Sequence, residues 1–172
     1  TFLKANVPKG NVMLNAKRNT QKLLAEVGNP VWIPPVKKFI AKELFSYGDS
    51  PEVPIAYCCP NLQDRFLDLV EEDIAGTRLR RYRLTNAALD TPILETLSEG
   101  KGRYPVVAFA HVIEFLKGVS EGYGERYLFY VADAEKTIGG LNMWRGEGGW
   151  VMFFRTLHRP VKWHESHMVI GR

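Results

Sequence analysis

The sequence predicts an α/β or α+β fold: a single mixed sheet with flanking helices and a C-terminal β-hairpin. Three observations carry this. Segments with helical spacing crowd the first half of the chain, and runs of β-branched and aromatic residues crowd the second. Between residues 53 and 132 the two kinds alternate. Of the 172 residues, 45% are hydrophobic and 24% charged, which supplies a core and argues against a disordered chain.

Pro8 and Gly10 disfavour a helix, so residues 1–14 are expected to be extended. Asn15 stands where it could cap a helix over 15–27, with Ala16, Leu23, Leu24 and Val27 at helical spacing and Gly28-Asn29-Pro30 as its stop. Pro35 starts a second helix with the apolar stripe Val36, Phe39, Ile40 and Leu44. Residues 1–50 are thus expected to be a helical N-terminal part. Residues 51–172 are expected to be an α/β core with a C-terminal hairpin and a basic tail, the two parts forming one compact unit.

Within that core a strand is expected over 53–59. Asn61 then caps a helix running to Gly76, with Leu62, Phe66, Leu69, Val70 and Ile74 inward and Asp64, Asp68, Glu71, Glu72 and Asp73 outward. A strand over 77–85, a helix over 91–97 opened by Pro92, and a strand over 104–110 follow. Residues 111–117 are expected as a helix and 127–132 as a strand. Segments 141–144 and 150–155 pair across a five-residue, glycine-rich loop.

The formal charge of +4 mildly favours polyanion partners. No run approaches the ~18 consecutive apolar residues of a membrane-spanning helix, so no membrane insertion is expected. The first ten residues lack the basic-then-apolar pattern of a signal peptide. Cys58 and Cys59 are adjacent, closer than the Cα separation of an ordinary disulfide, and this points to a reducing cytoplasm.

Five groups of residues carry candidate chemistry. Gly122, Gly124, Glu125 and Arg126 form a glycine-spaced turn in which backbone could approach an anion and the guanidinium could clamp a phosphate. The alternative is a charged hairpin turn. Arg78, Arg80, Arg81 and Arg83 with Tyr82 form a basic strand. Alternation puts Arg78, Arg80 and Tyr82 on one face and Arg81 and Arg83 on the other, suited to a nucleic-acid backbone and one stacked base. The alternative is a solvated edge strand paired with the acidic helix.

His158, His164 and His167 with Glu165 could meet a metal if the i, i+3 pair shared a helix face, but no usual zinc spacing is present, so no metal ligands are assigned. An exposed basic tail is the alternative. Cys58 or Cys59 with His111 would make a thiol nucleophile and its base, against two buried thiols. Asp133 and Glu135 with Lys136, helped by Glu114 or Asp90, are candidate catalytic carboxylates for magnesium-dependent phosphate chemistry, against a polar turn.

Pro105-Val106-Val107, followed at an interval by Gly124-Glu125-Arg126, resembles the ParB/sulfiredoxin superfamily over residues 91–134. There a short strand precedes a Gly-x-x-Arg loop that holds nucleotide phosphates at a helix start. The resemblance implies a ParB/sulfiredoxin-like fold and a role in plasmid or chromosome maintenance or transfer.

The function expected is that of a cytoplasmic DNA- or nucleotide-binding protein, taking ATP or another nucleotide with magnesium, with weak ATPase or nuclease activity through Asp133 and Glu135. A protein-interaction module using Trp144, Trp150 and Trp163 is one alternative, and a small cysteine-dependent enzyme is another.

Overall fold

A computed structural model describes residues 22–45, 52–99, 104–119, 124–159 and 161–172. Its elements run β1 (Leu24–Glu26), β2 (Val31–Ile33), β3 (Val36–Ile40), α1 (Ala41–Leu44), β4 (Ile55–Cys58), α2 (Pro60–Phe66), β5 (Val70–Ile74) and β6 (Thr77–Leu84). They continue α3 (Asp90–Ser98), α4 (Phe109–Gly118), β7 (Arg126–Ala132), β8 (Ile138–Gly146), β9 (Gly149–Thr156) and β10 (His167–Gly171). The architecture is mixed α+β. Eight strands form one mixed sheet in the order β1-β6-β10-β7-β8-β9-β4, with β2 also on β6, and β3 and β5 form a separate ribbon.

Strands β7, β8 and β9 are an antiparallel meander. β10 inserts between β6 and β7, antiparallel to the first and parallel to the second. The C-terminal segment, expected as a solvated basic tail, is therefore in its last residues an interior strand. Met168, Val169 and Ile170 are buried because both faces of the sheet are covered there. Alternation along β7 divides the core in two. Tyr127, Phe129 and Val131 pack with α2 and α4, whereas Leu128 and Tyr130 pack with Ile93 and Leu94 of α3 and with Trp163.

Two expected helices are in part strand. The helix expected over 61–76 begins one residue earlier, at Pro60, with Cys59 as its N-cap, and stops at Phe66; Val70–Ile74 then runs as β5. The helix expected over 36–44 is β3 followed by one turn of α1. The reason is their mutual pairing: Val36 faces Ile74, Ile40 faces Val70, and Lys38 faces Glu72 with an ion pair of 3.5 Å. Cross-strand pairs of β-branched residues and of opposite charges override the helical spacing within each segment. Over its described residues, the N-terminal part expected to be helical holds three short strands and a single helical turn; Leu24–Glu26 pairs with β6 as β1. Residues 1–14, and 15–21 of the first expected helix, lie outside the described residues.

The strand expected over 104–110 does not form: residues 104–108 are irregular, tied to β7 by the Val107 amide donating to the Tyr130 carbonyl at 2.8 Å, and α4 begins at Phe109. α4 has Ala108 at its N-cap, which offers no side-chain acceptor. Glu71 of β5 supplies one from 38 residues away, accepting the Phe109 amide at 3.1 Å and the Ala110 amide at 2.6 Å. A carboxylate on two free amides at the positive end of a helix both caps it and opposes its dipole. The β8–β9 hairpin closes through Glu147-Gly148, with Gly146 facing Gly149, a tighter turn than the five-residue loop expected. Gly149 has φ +142°, and a Cβ there would come within 2.3 Å of the Pro54 carbonyl, so glycine lets β4 approach.

Glu71→Ala should cost about 1–3 kcal/mol of unfolding free energy, since it strips acceptors from two part-buried amides. Urea denaturation of the variant checks this, and Glu71→Gln, which keeps an acceptor, should lose less.

Candidate functional site

Residues 121–123, and with them Gly122, lie outside the described residues. Gly124 has φ +93° and is exposed. Arg126 opens strand β7, not a helix. The Glu125 carboxylate accepts the Tyr127 hydroxyl at 2.7 Å. The Arg126 guanidinium lies 4.9 Å over the Trp144 ring, a cation–π contact. Trp144 stacks on Phe153 at 5.5 Å with planes 7° apart, and Phe153 meets Tyr57 at 5.4 Å. One row of side chains thus crosses β7, β8, β9 and β4 on the same face.

Trp150, expected as a surface anchor, is only 2% exposed and packs edge-on against Tyr127. Trp163 is buried too and donates its indole N–H to Asp90 at 2.6 Å. Neither is available to a partner, because alternation from the hairpin turns Trp150 into the core. Trp144, on the opposite face, stays half-buried.

The arginine strand divides as its alternation predicts. Arg81 is half-buried, with Nη2 where a Gly28 Cβ would meet it at 2.6 Å, while Arg83 is exposed. Arg78 is exposed beside β2, opposite Trp32. Arg80 and Tyr82 enter a cleft of about 1270 Å³. Its walls bring together Lys22 ahead of β1, Glu26, Glu99 after α3, Tyr104 ahead of α4, and Arg172 after β10. Arg80 pairs with Glu26 at 3.4 Å with both side chains largely solvated, a contact of little net worth that another anion can replace. Burial pushes the Tyr82 hydroxyl up from the usual tyrosine value, and the nearby Arg80 charge opposes this.

Of the candidate catalytic carboxylates, Asp133 is engaged in structural contacts. Asp133 is fully enclosed. Its Oδ2 accepts from Arg65 of α2 at 2.6 Å, and its Oδ1 accepts the amides of Glu135 at 3.0 Å and Thr137 at 2.8 Å. Both oxygens are used to shape the β7–β8 connection and tie it to α2. Glu135 and Lys136 are exposed on that turn. Glu114 pairs with Lys117 at 2.7 Å. Asp90, at the start of α3, is buried and accepts the Tyr130 hydroxyl at 2.9 Å as well as Trp163. Burial, then the Asp90 charge, push the Tyr130 hydroxyl well above its ordinary range, so it remains a donor. Among the described residues, no three His, Cys, Asp or Glu side chains group as a metal site would require.

Cys58 and Cys59 are free, buried thiols. Burial, with Cys59 adding to it, pushes Cys58 up to about 12, the reverse of an activated nucleophile. Cys59 Sγ accepts the Phe154 amide at 3.5 Å. His111 is enclosed on α4, while His158 and His164 are exposed. His167 does not share a helix face with His164. It begins β10, its Nδ1 lies 3.1 Å from the His164 carbonyl, and its ring packs on Trp163.

Neither periodicity nor spacing pointed to the cleft, whose members come from six separate stretches. Of its charged and aromatic members, only Arg80 and Tyr82 are among the candidate site residues of the sequence. No protein-family model, no curated protein and no solved structure matches this chain.

Two histidines make folding sensitive to acid. Burial, with the Arg172 charge adding to it, holds His111 below the ordinary value of about 6.5, against opposing effects of the Ala75 backbone and Glu114. Burial likewise lowers His167. A lowered folded pKa means that the unfolded chain takes up protons first, so this stability is present above about pH 6.5 and is lost as pH falls below it. Melting temperature should drop between pH 7 and pH 5, and His111→Leu should flatten that dependence.

Proposed function

We propose that this is a cytoplasmic nucleic-acid- or nucleotide-binding protein whose ligand phosphates occupy the cleft beside β6. The observation that carries this reading is the convergence of Lys22, Arg80 and Arg172 from three distant segments on one concavity that also holds Tyr82 and Tyr104. Cations in a groove attract a phosphate backbone, and aromatic rings beside them can take the faces of bases. Glu26 and Glu99 share the walls, so the site has a modest positive excess and depends on more than charge. Arg78, on the same strand and exposed, could extend the phosphate track. The role assigned is binding. Asp133, with both oxygens committed, is given no catalytic step.

A second reading, a protein-interaction surface, is favoured by the row Arg126, Trp144, Phe153 and Tyr57. Tyr57 is 43% exposed, and Arg155 follows Phe153 on the same face of β9. Neither Arg126 nor Arg155 has a carboxylate partner among the described residues. Arginine and aromatic side chains are favoured interface anchors.

Filter binding of labelled DNA across a salt series tests the first reading. Affinity should fall as salt rises, and Arg80→Ala or Arg172→Ala should each weaken it about five- to tenfold. Binding indifferent to salt and to both substitutions sinks it.

The two readings separate on Tyr57→Ala, an exposed change that should leave DNA affinity within about twofold of the parent. If Tyr57→Ala abolishes DNA binding while Arg80→Ala does not, the aromatic row is the binding surface instead.

A further inference from the structure

The shape and lining of the cleft restrict which phosphate ligand can use it. We infer that the ligand is a single-stranded nucleic acid, in preference to a duplex or a lone nucleotide. This rests on the reading of the cleft as a phosphate site.

Size argues first. The cleft measures about 1270 Å³, beyond the ~300–1,000 Å³ of sites that enclose one small molecule, so a lone nucleotide would leave much of it unfilled. The aromatic residues argue next. Tyr82 is half-buried on β6, next but one to Arg80 in the chain, and Tyr104 is 40% exposed on the segment ahead of α4. A tyrosine can stack only on a base whose face is open. In a duplex those faces are covered by neighbouring base pairs, whereas a single strand offers them.

Charge argues third. Three cations face two carboxylates on the same walls. Duplex binding held by phosphate contacts alone draws on many lysines and arginines over a broad surface. Three cations with acidic neighbours on the walls of a concavity are poorly matched to the convex backbone of a duplex. A flexible strand can follow a concave path, place a few phosphates on Lys22, Arg80 and Arg172, and gain the rest of its binding from stacking. The Arg126–Trp144–Phe153 row is less suited to the same task. The guanidinium covers one face of Trp144 and Phe153 stacks against the ring, which limits the faces left for a base.

Fluorescence anisotropy with the purified protein tests this, using labelled oligothymidylate and oligouridylate of about ten nucleotides, a duplex of the same length, and ATP as competitor. Both single strands should bind, with the duplex and ATP at least about tenfold weaker. With up to three phosphates neutralised, the log–log salt slope should be about −2. Tyr104→Ala should weaken single-strand binding about tenfold, and Tyr104→Phe should restore it, an outcome that a change of charge or fold would not give. Either order of affinity between the DNA and RNA strands supports the inference and identifies the preferred sugar. Equal affinity for duplex or for ATP overturns it while leaving the phosphate site standing. Absence of binding by all four probes overturns both.

Discussion

Hydrogen bonding along both edges of β10 is the constraint on which the remaining architecture depends. The strand lies between β6 and β7, so it joins the part of the sheet that carries β1 and β2 to the β7–β8–β9 meander. Its backbone must be paired on both sides, because an unpaired amide or carbonyl in a covered sheet is costly. The segment leading into β10 is fastened at Trp163. Trp163 exchanges backbone hydrogen bonds with Ala88 at 2.8 and 3.0 Å and donates its indole N–H to Asp90. With β10 and that anchor in place, Arg172 comes to the same cleft as Arg80 and Lys22. The arrangement of the cleft is thus a consequence of how the sheet is closed.

Three carboxyl side chains, each with at least one partner remote in sequence, hold the covering layers to the sheet. Glu71 caps α4, Asp133 joins the β7–β8 turn to α2, and Asp90 collects Tyr130 and Trp163. Each meets at least two donors, which lets a carboxyl be buried or half-buried without a large uncompensated desolvation cost. The same engagement ties both Asp133 oxygens to structural donors. Cys58 is similar, since its enclosure keeps the thiol protonated at neutral pH.

The remaining charges are unevenly matched, and that asymmetry directs the functional reading. On the ribbon and its flanking helices, Lys37 pairs with Asp73, Lys38 with Glu72, and Lys117 with Glu52 and Glu114. At the cleft, Arg80 and Glu26 form a solvated 3.4 Å pair. Screening by salt acts strongly on such solvated groups, so ionic strength is a sensitive probe of their use.

Local pattern alone determined the mixed α and β character, strand β6 with its split arginines, helices α3 and α4, strand β7 and the β8–β9 hairpin. Each is an element whose period or turn chemistry is contained within a dozen residues. Three matters were decided only by tertiary structure. Residues 36–40 and 70–74 are strands because they pair with each other across about thirty residues, although each has helical spacing. The end of the chain is interior because β6 and β7 flank it, which no property of His-Met-Val-Ile-Gly announces. The cleft exists because side chains from six stretches meet in space, and a linear pattern holds no record of contacts between segments that are far apart along the chain.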